Sequence, residues 1–285
     1  MTNQENKIPI KGYATFHPLK HCLIGSGFKT EWFADLSIYK NNKIMDPLKR
    51  IAEETEEDYQ ALDKILQSAG VTTYRAKLDM QKIQSLQNVW RPPMTPRDHF
   101  AVIGEKFYAG TRGAPGYMDI IKQIDRKNFK LVSTEADIST ANIVRVGKDI
   151  FWDHHKDDDP NDPVYKTVLS DLDQQGFRIH HSNRGYHSDG AFCVVKPGCI
   201  VSLNGVQDYD ELFPGWDVLY IPDQSWSKVD PFMEMKNKVG GRWWLKGEEH
   251  NDQLIEFVNT WLHTWTGYVE ETVFDVNMLS LDENT

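Results

Sequence analysis

The chain has little cysteine, no long apolar run and no surplus of positive charge. Three cysteines in 285 residues, Cys22, Cys193 and Cys199, cannot pair completely. They lie in apolar, strand-like stretches, and none has the spacing of a zinc site, so a reducing cytoplasm is expected. No apolar stretch approaches the roughly 20 residues of a membrane span. The segment Met1–Lys11 is polar and lacks the apolar core of a secretory signal. No membrane partner is expected. Lys and Arg number 32 against 42 Asp and Glu, a net charge of −10 without a basic block. That excludes the usual electrostatic footprint of a nucleic-acid binder. Residues 1–12 read as a flexible N-terminus. The remainder, 40% hydrophobic and 12% aromatic, can bury a substantial core and reads as one domain over 1–285.

What is present is a repeated pattern. Phe16–Gly25 reads as a turn leading into a short strand. From Asp46 to Gln67, Leu48, Ile51, Ala52, Tyr59, Leu62, Ile65 and Leu66 recur at helical spacing, Gly70 stops the helix, and Val71–Arg75 is a strand. Three stretches of one design follow, opening at Asp98, Asn142 and Asp189. Each begins with a polar residue, passes through an apolar strand, turns near a glycine and returns. The turn glycines Gly104, Gly147 and Gly198 are 43 and 51 residues apart, which suits a ββαβ repeat. A helix over Val164–Gln175, stopped by Gly176 and followed by the strand Phe177–His180, fills the second interval.

The sharpest local signal is Gly185-Tyr186-His187-Ser188-Asp189-Gly190, ahead of the apolar run Ala191–Val195. Read as the mouth of a strand, His187 and Asp189 share a face, because the side-chain period of a strand is two. An imidazole and a carboxylate side by side can move protons and hold a cation. Gly185 and Gly190 would let the backbone approach a ligand. Trp226, Trp243, Trp244, Trp261 and Trp265 crowd one later stretch without basic interleaving and read as core or lid packing; Asp252–Trp265 reads as an amphipathic helix. Val273–Thr285 reads as a strand running into a turn, one hairpin arm whose partner is not in the sequence.

Four segments resemble the amidinotransferases of the pentein superfamily, of which glycine amidinotransferases are members. They are His17-Pro18-Leu19 with Cys22–Gly25, Met94–Asp98, Ala141–Arg145 with Gly147–Phe151, and His187-Ser188-Asp189 with Val276–Glu283. The resemblance spans about residues 13 to 285. It implies an α/β fold, a pentein propeller of ββαβ units around a central cleft, with the fifth unit incomplete. It implies transfer of an amidino group from arginine or another guanidine to an amine through a cysteine-linked intermediate. By the same resemblance Asp98 grips the guanidinium, His187 shuttles protons and Asp189 is its companion carboxylate. Arg97, Ser139 and Asn142 join Asp98 as substrate-binding residues. No cofactor and no metal are expected. The partners are small guanidines and amines, together with either a homo-oligomer or a second chain that supplies the missing fifth unit.

The sequence departs from that pattern in three places. Ser139 stands where the resemblance implies an acid, for which Glu135 or Asp137 could substitute. Gln207 stands where glycine-using members carry an arginine. The implied nucleophile belongs to a Gly-rich His-Cys segment beyond Thr285, so the chain reads as truncated and inactive in transfer by itself. Cys193 and Cys199, among apolar neighbours, read as buried thiols and poor substitutes. Two alternatives stay open: a binding module that holds a guanidinium or amine without chemistry, and a hydrolase of arginine deiminase or dimethylarginine hydrolase type.

Overall fold

Polar caps and glycine stops cut this chain into short elements. The computed structural model describes residues 7–33, 40–77, 96–110, 114–132, 140–153, 163–182, 188–203, 209–221, 247–248, 250–257, 276 and 278–285. Strand β1 (His21–Ile24) pairs in parallel with β2 (Thr72–Arg75) across helix α1 (Asn42–Ser68). The helix starts four residues before Asp46 because Asn41 caps it, its side-chain oxygen accepting from the Lys43 amide at 3.1 Å. It ends in a Schellman closure. Gly70, at φ 80°, donates to Gln67, and Val71 donates to Leu66, its apolar neighbour in the core. Pro47 lies inside α1 and has no amide to give the Lys43 carbonyl. The Asn251 side chain takes its place, donating to that oxygen at 2.7 Å while its own oxygen caps the helix Asp252–Phe257 at Leu254.

Three ββαβ units follow, each one three-stranded sheet. The first is β3 (Phe100–Ile103), β4 (Lys106–Gly110) and β5 (Phe129–Val132). The second is β6 (Ile143–Val146), β7 (Asp149–Asp153) and β8 (Arg178–Ser182), with α2 (Pro163–Gln174) before β8. The third is β9 (Phe192–Lys196), β10 (Cys199–Leu203) and β11 (Asp217–Ile221). In each, the first strand runs antiparallel to the middle one and the third runs parallel to it. Middle strands are therefore covered on both faces: β4 and β7 bury four of five residues, whereas the outer strands β8 and β11 bury none. Gly104 turns the first hairpin at φ 60°, and a Cβ there would also meet the Phe177 ring at 2.9 Å.

Neighbouring units share cores instead of strands. Trp152, Ile150 and Leu172 of the second unit pack with Ile103, Tyr108 and Val132 of the first. Phe192, Val194 and Ile200 pack with Val144 and Phe151. Among the described residues no sheet closes and no strand pairs across units.

Several sequence expectations change here. The polar openings are not strand mouths: Pro96–His99, Thr140–Asn142 and Ser188–Ala191 are single helical turns, and the strands begin one residue after each. Pro at the first helical position, and Ser, Thr and Asp hydrogen-bonding locally, favour turns over extended chain. Asp189 is thus on a turn, and the strand-period argument linking it to His187 does not apply. A Cβ at Gly190 would meet no protein atom within 4 Å. Residues 8 and 12, placed by the sequence in a flexible terminus, are held: Ile8 is buried and bridges to Ile124, and Gly12 bridges to Gly104. Residues 278–285 form no strand; Leu281 instead accepts from the Leu19 amide at 2.8 Å beside β1. The tryptophans at 226, 243, 244, 261 and 265, and the helix beyond 257, lie outside the described residues.

Candidate functional site

The three helical turns meet at the start of β3, β6 and β9. They are joined by side chains that reach from one unit to the next. Arg97 lies at the centre. One terminal nitrogen donates to the Thr140 carbonyl, the other to the Ile143 carbonyl at 2.7 Å, and its Nε lies 3.4 Å from Asp189 Oδ2. In return the Thr140 hydroxyl donates to the Arg97 carbonyl. The Ser188 hydroxyl donates to the Asn142 carbonyl at 3.2 Å, closing the third side of the triangle. One residue pair deeper, Arg145 on β6 donates to the Val102 carbonyl on β3. Gly12 makes room there, since a Cβ would lie 2.5 Å from the Arg145 guanidinium.

The electrostatics follow from this placement. Desolvation pulls the pKa of Arg97 below the ordinary arginine value, while the Asp189 and Asp98 charges push it up. Its side chain nonetheless keeps 42% of its surface open. With that exposure the guanidinium stays protonated. Arg145 is lowered further, to about 10, first by desolvation and then by the like charge of Arg97; it makes no ion pair among the described residues. Asp98, half-buried on the same turn as Arg97, lies within electrostatic reach of Arg97 and of the buried Tyr117. Asn142 is buried, and its side-chain oxygen has no hydrogen-bond partner among the described residues. A buried acceptor left open costs stability unless a donor fills it.

Asp98, Arg97, Asn142 and Asp189 therefore stand on turns that are tied to one another. His187, Ser139, Glu135, Asp137 and Gln207 lie outside the described residues. Thr140, Ser188 and Arg145 are contributors that sequence reasoning missed; the hydroxyl residues at turn starts were the available signal. Cys193 and Cys199 are buried. Burial is the main cause that raises the Cys193 thiol's pKa, with a smaller lowering from a hydrogen bond with the Met278 backbone. Among the described residues no cluster of three His, Cys, Asp or Glu could hold a metal ion, and no helix is long and apolar enough to cross a membrane. An apolar void of about 10 Å³ behind Thr140 and Ile143 is too small for a ligand.

No protein-family model matches the sequence, and no curated protein matches it. Solved structures do match the fold. An amidinotransferase of the saxitoxin biosynthetic pathway from Microseira wollei is 16% identical, with a TM-score of 0.59 over 97% of this chain and 85% of that one. Inosamine-phosphate amidinotransferase from Streptomyces griseus is 15% identical, with a TM-score of 0.55 over 76% of each chain. A dimethylarginine dimethylaminohydrolase bearing a 4-chloro-2-hydroxymethylpyridine adduct is 11% identical, with a TM-score of 0.50 over 84% of this chain and 89% of that one. These proteins belong to the pentein superfamily, and at such identities the likeness is one of fold. The chain has an α/β fold of several small sheets that matches theirs.

Proposed function

We propose that the chain binds a small guanidinium compound at the meeting point of the three turns, as part of amidinotransferase-like chemistry. The observation that carries this reading is the convergence of acceptors. Asp98, Asn142 and Asp189 each bring a side-chain acceptor to one of the three turns that Arg97 and Ser188 tie together. A guanidinium offers only donors, in a planar fork that suits carboxylates. Arg97 offsets one of the two carboxylate charges and leaves one for a ligand. Arg145, a strand residue further in, dampens the field, so weak and salt-sensitive affinity is expected.

In this reading Asp98 grips the guanidinium, Asp189 and His187 serve proton transfer, and Ser139 and Asn142 line the ligand. β1 and β2 would belong to a further unit of the ring, completed within one chain or from a partner, in a cytoplasmic setting. Neither Cys193 nor Cys199 is proposed as the nucleophile, because both thiols are buried and burial raises the pKa of Cys193. The 285-residue chain should therefore bind without transferring.

Calorimetric or NMR titration with arginine and simpler guanidines, at two salt concentrations, tests this. Asp98→Ala should abolish binding. Ser139→Asp should strengthen it by roughly ten- to a hundredfold, the value of one charge-assisted contact. Affinity unchanged in Asp98→Ala would sink the reading. Amidino transfer that depends on Cys193 would overturn the claim of inactivity.

A further inference from the structure

We infer that Arg97 is a positioning residue whose guanidinium fixes the Asp189 carboxylate and locks the turn at Thr140–Asn142 against its own turn, so that three separate units present one site. Its bearing on ligand binding rests on the guanidinium reading above; the clasp itself does not.

The argument starts from what else joins the units. Among the described residues their sheets share no strand pairing, so apolar contacts and polar ties alone set how the turns face one another. Apolar packing is non-directional and tolerates small slips. Directional ties do not. Arg97 supplies two of them at once, to Thr140 and Ile143 of the second unit, and adds an ion pair to Asp189 of the third. The returning bond from Thr140 to the Arg97 carbonyl makes the first of these reciprocal. Ser188 to Asn142 ties the remaining pair of turns.

Only arginine fits this post. Its guanidinium is a rigid plane with five donors, able to address acceptors in three directions from one side chain. A lysine ammonium is a point charge on a flexible stem; it can keep the charge near Asp189 without holding the two carbonyls. Nor does Arg97 serve well as a ligand-binding group, the role implied for it by family resemblance. Its nitrogens are already directed at protein acceptors, and a cation beside the ligand would repel a guanidinium. Its contribution is to orient Asp189 and compensate part of its charge.

The experiment uses the 285-residue chain and the variants Arg97→Lys, Asp189→Asn and their double. Two readouts are taken: affinity for arginine by calorimetry, and the Nε–H resonance of Arg97 by nitrogen-15 NMR. The expected affinity loss in Arg97→Lys is at least tenfold in a folded protein, falling below twofold in the Asp189→Asn background. The expected Nε–H signal is discrete in the wild type and is shifted or lost in Asp189→Asn. Full arginine affinity in Arg97→Lys overturns the inference, as does an equal loss with and without the Asp189 carboxylate, which marks a merely structural role. If the wild type binds no guanidine at all, the guanidinium reading fails and the clasp is judged by NMR alone. An Arg97 Nε–H signal unmoved by Asp189→Asn then overturns it.

Discussion

Arg97 and Arg178 each face an aspartate, in opposite settings. Arg178 holds Asp149 with two hydrogen bonds of 2.8 and 2.6 Å, and His180 adds a third contact to Asp149 at 2.8 Å. Arg97 approaches Asp189 only to 3.4 Å. By contact geometry the Arg178 pair is the better one. It joins β7 to β8, however, which are already paired along their length, and the Arg178 side chain is 70% exposed. Arg97 joins units that have no strand pairing between them among the described residues. The worth of an ion pair depends on what the fold would lose without it more than on its length.

Four substitutions can break or sharpen that contrast. Arg97→Ala should have the largest effect, about 2–3 kcal/mol in urea unfolding, because it removes the ion pair to Asp189 and frees two carbonyls. Tyr108→Phe should come next, at about 1–2 kcal/mol. It removes the hydroxyl that donates to Asp171 at 2.5 Å and accepts from Gln175 at 2.9 Å, a network that fastens α2 to β4.

Arg75→Ala should cost about 0.5–1 kcal/mol, since its fork on Glu56 is partly exposed. The hydrogen bonds from Arg75 are the main cause that holds Glu56 below the usual carboxylate range. Stability from such a depressed carboxylate is fully present above its unfolded pKa of about 4.3 and is lost as pH falls through the lower folded value. The gap between wild type and Arg75→Ala should therefore stay constant from about pH 5 to 8 and close in acid. A gap that instead persists unchanged in acid would show that Arg75 acts through packing over Tyr59. Arg178→Ala should be the mildest, with no shift in the unfolding midpoint beyond replicate error. If it proves worse than Arg97→Ala, contact geometry outranks topology and the contrast collapses.

Much of the framework was legible because it depends on near neighbours in the chain. The turns at Gly104, Gly147 and Gly198, and the closures of α1 at Gly70 and α2 at Gly176, follow from local backbone chemistry. The apolar runs that became middle strands could be read because strands covered on both faces need no alternation. The start of each unit was misjudged for the same local reason: Pro96, Thr140 and Ser188 make helical turns before the strands, and a polar residue before an apolar run looks the same in either case. The clasp was not legible. Arg97 meets partners 43 and 46 residues away at Thr140 and Ile143, and no periodicity reports such a meeting. The link between Pro47 and Asn251 was hidden likewise, although an interior proline always leaves a carbonyl in need of a donor.

The hydrogen bond from the Leu19 amide to the Leu281 carbonyl has a kinetic consequence. Its partners lie far apart in the sequence, so forming it closes a very long loop. The entropy of closure grows only slowly with loop length, yet contacts of such wide separation make folding slow. That closure belongs among the last events on the way to the native state and among the first to reverse in a partial opening. Hydrogen exchange at the Leu19 amide would time it, and protection there should appear later than at the Val71 amide, whose partner Leu66 is close at hand.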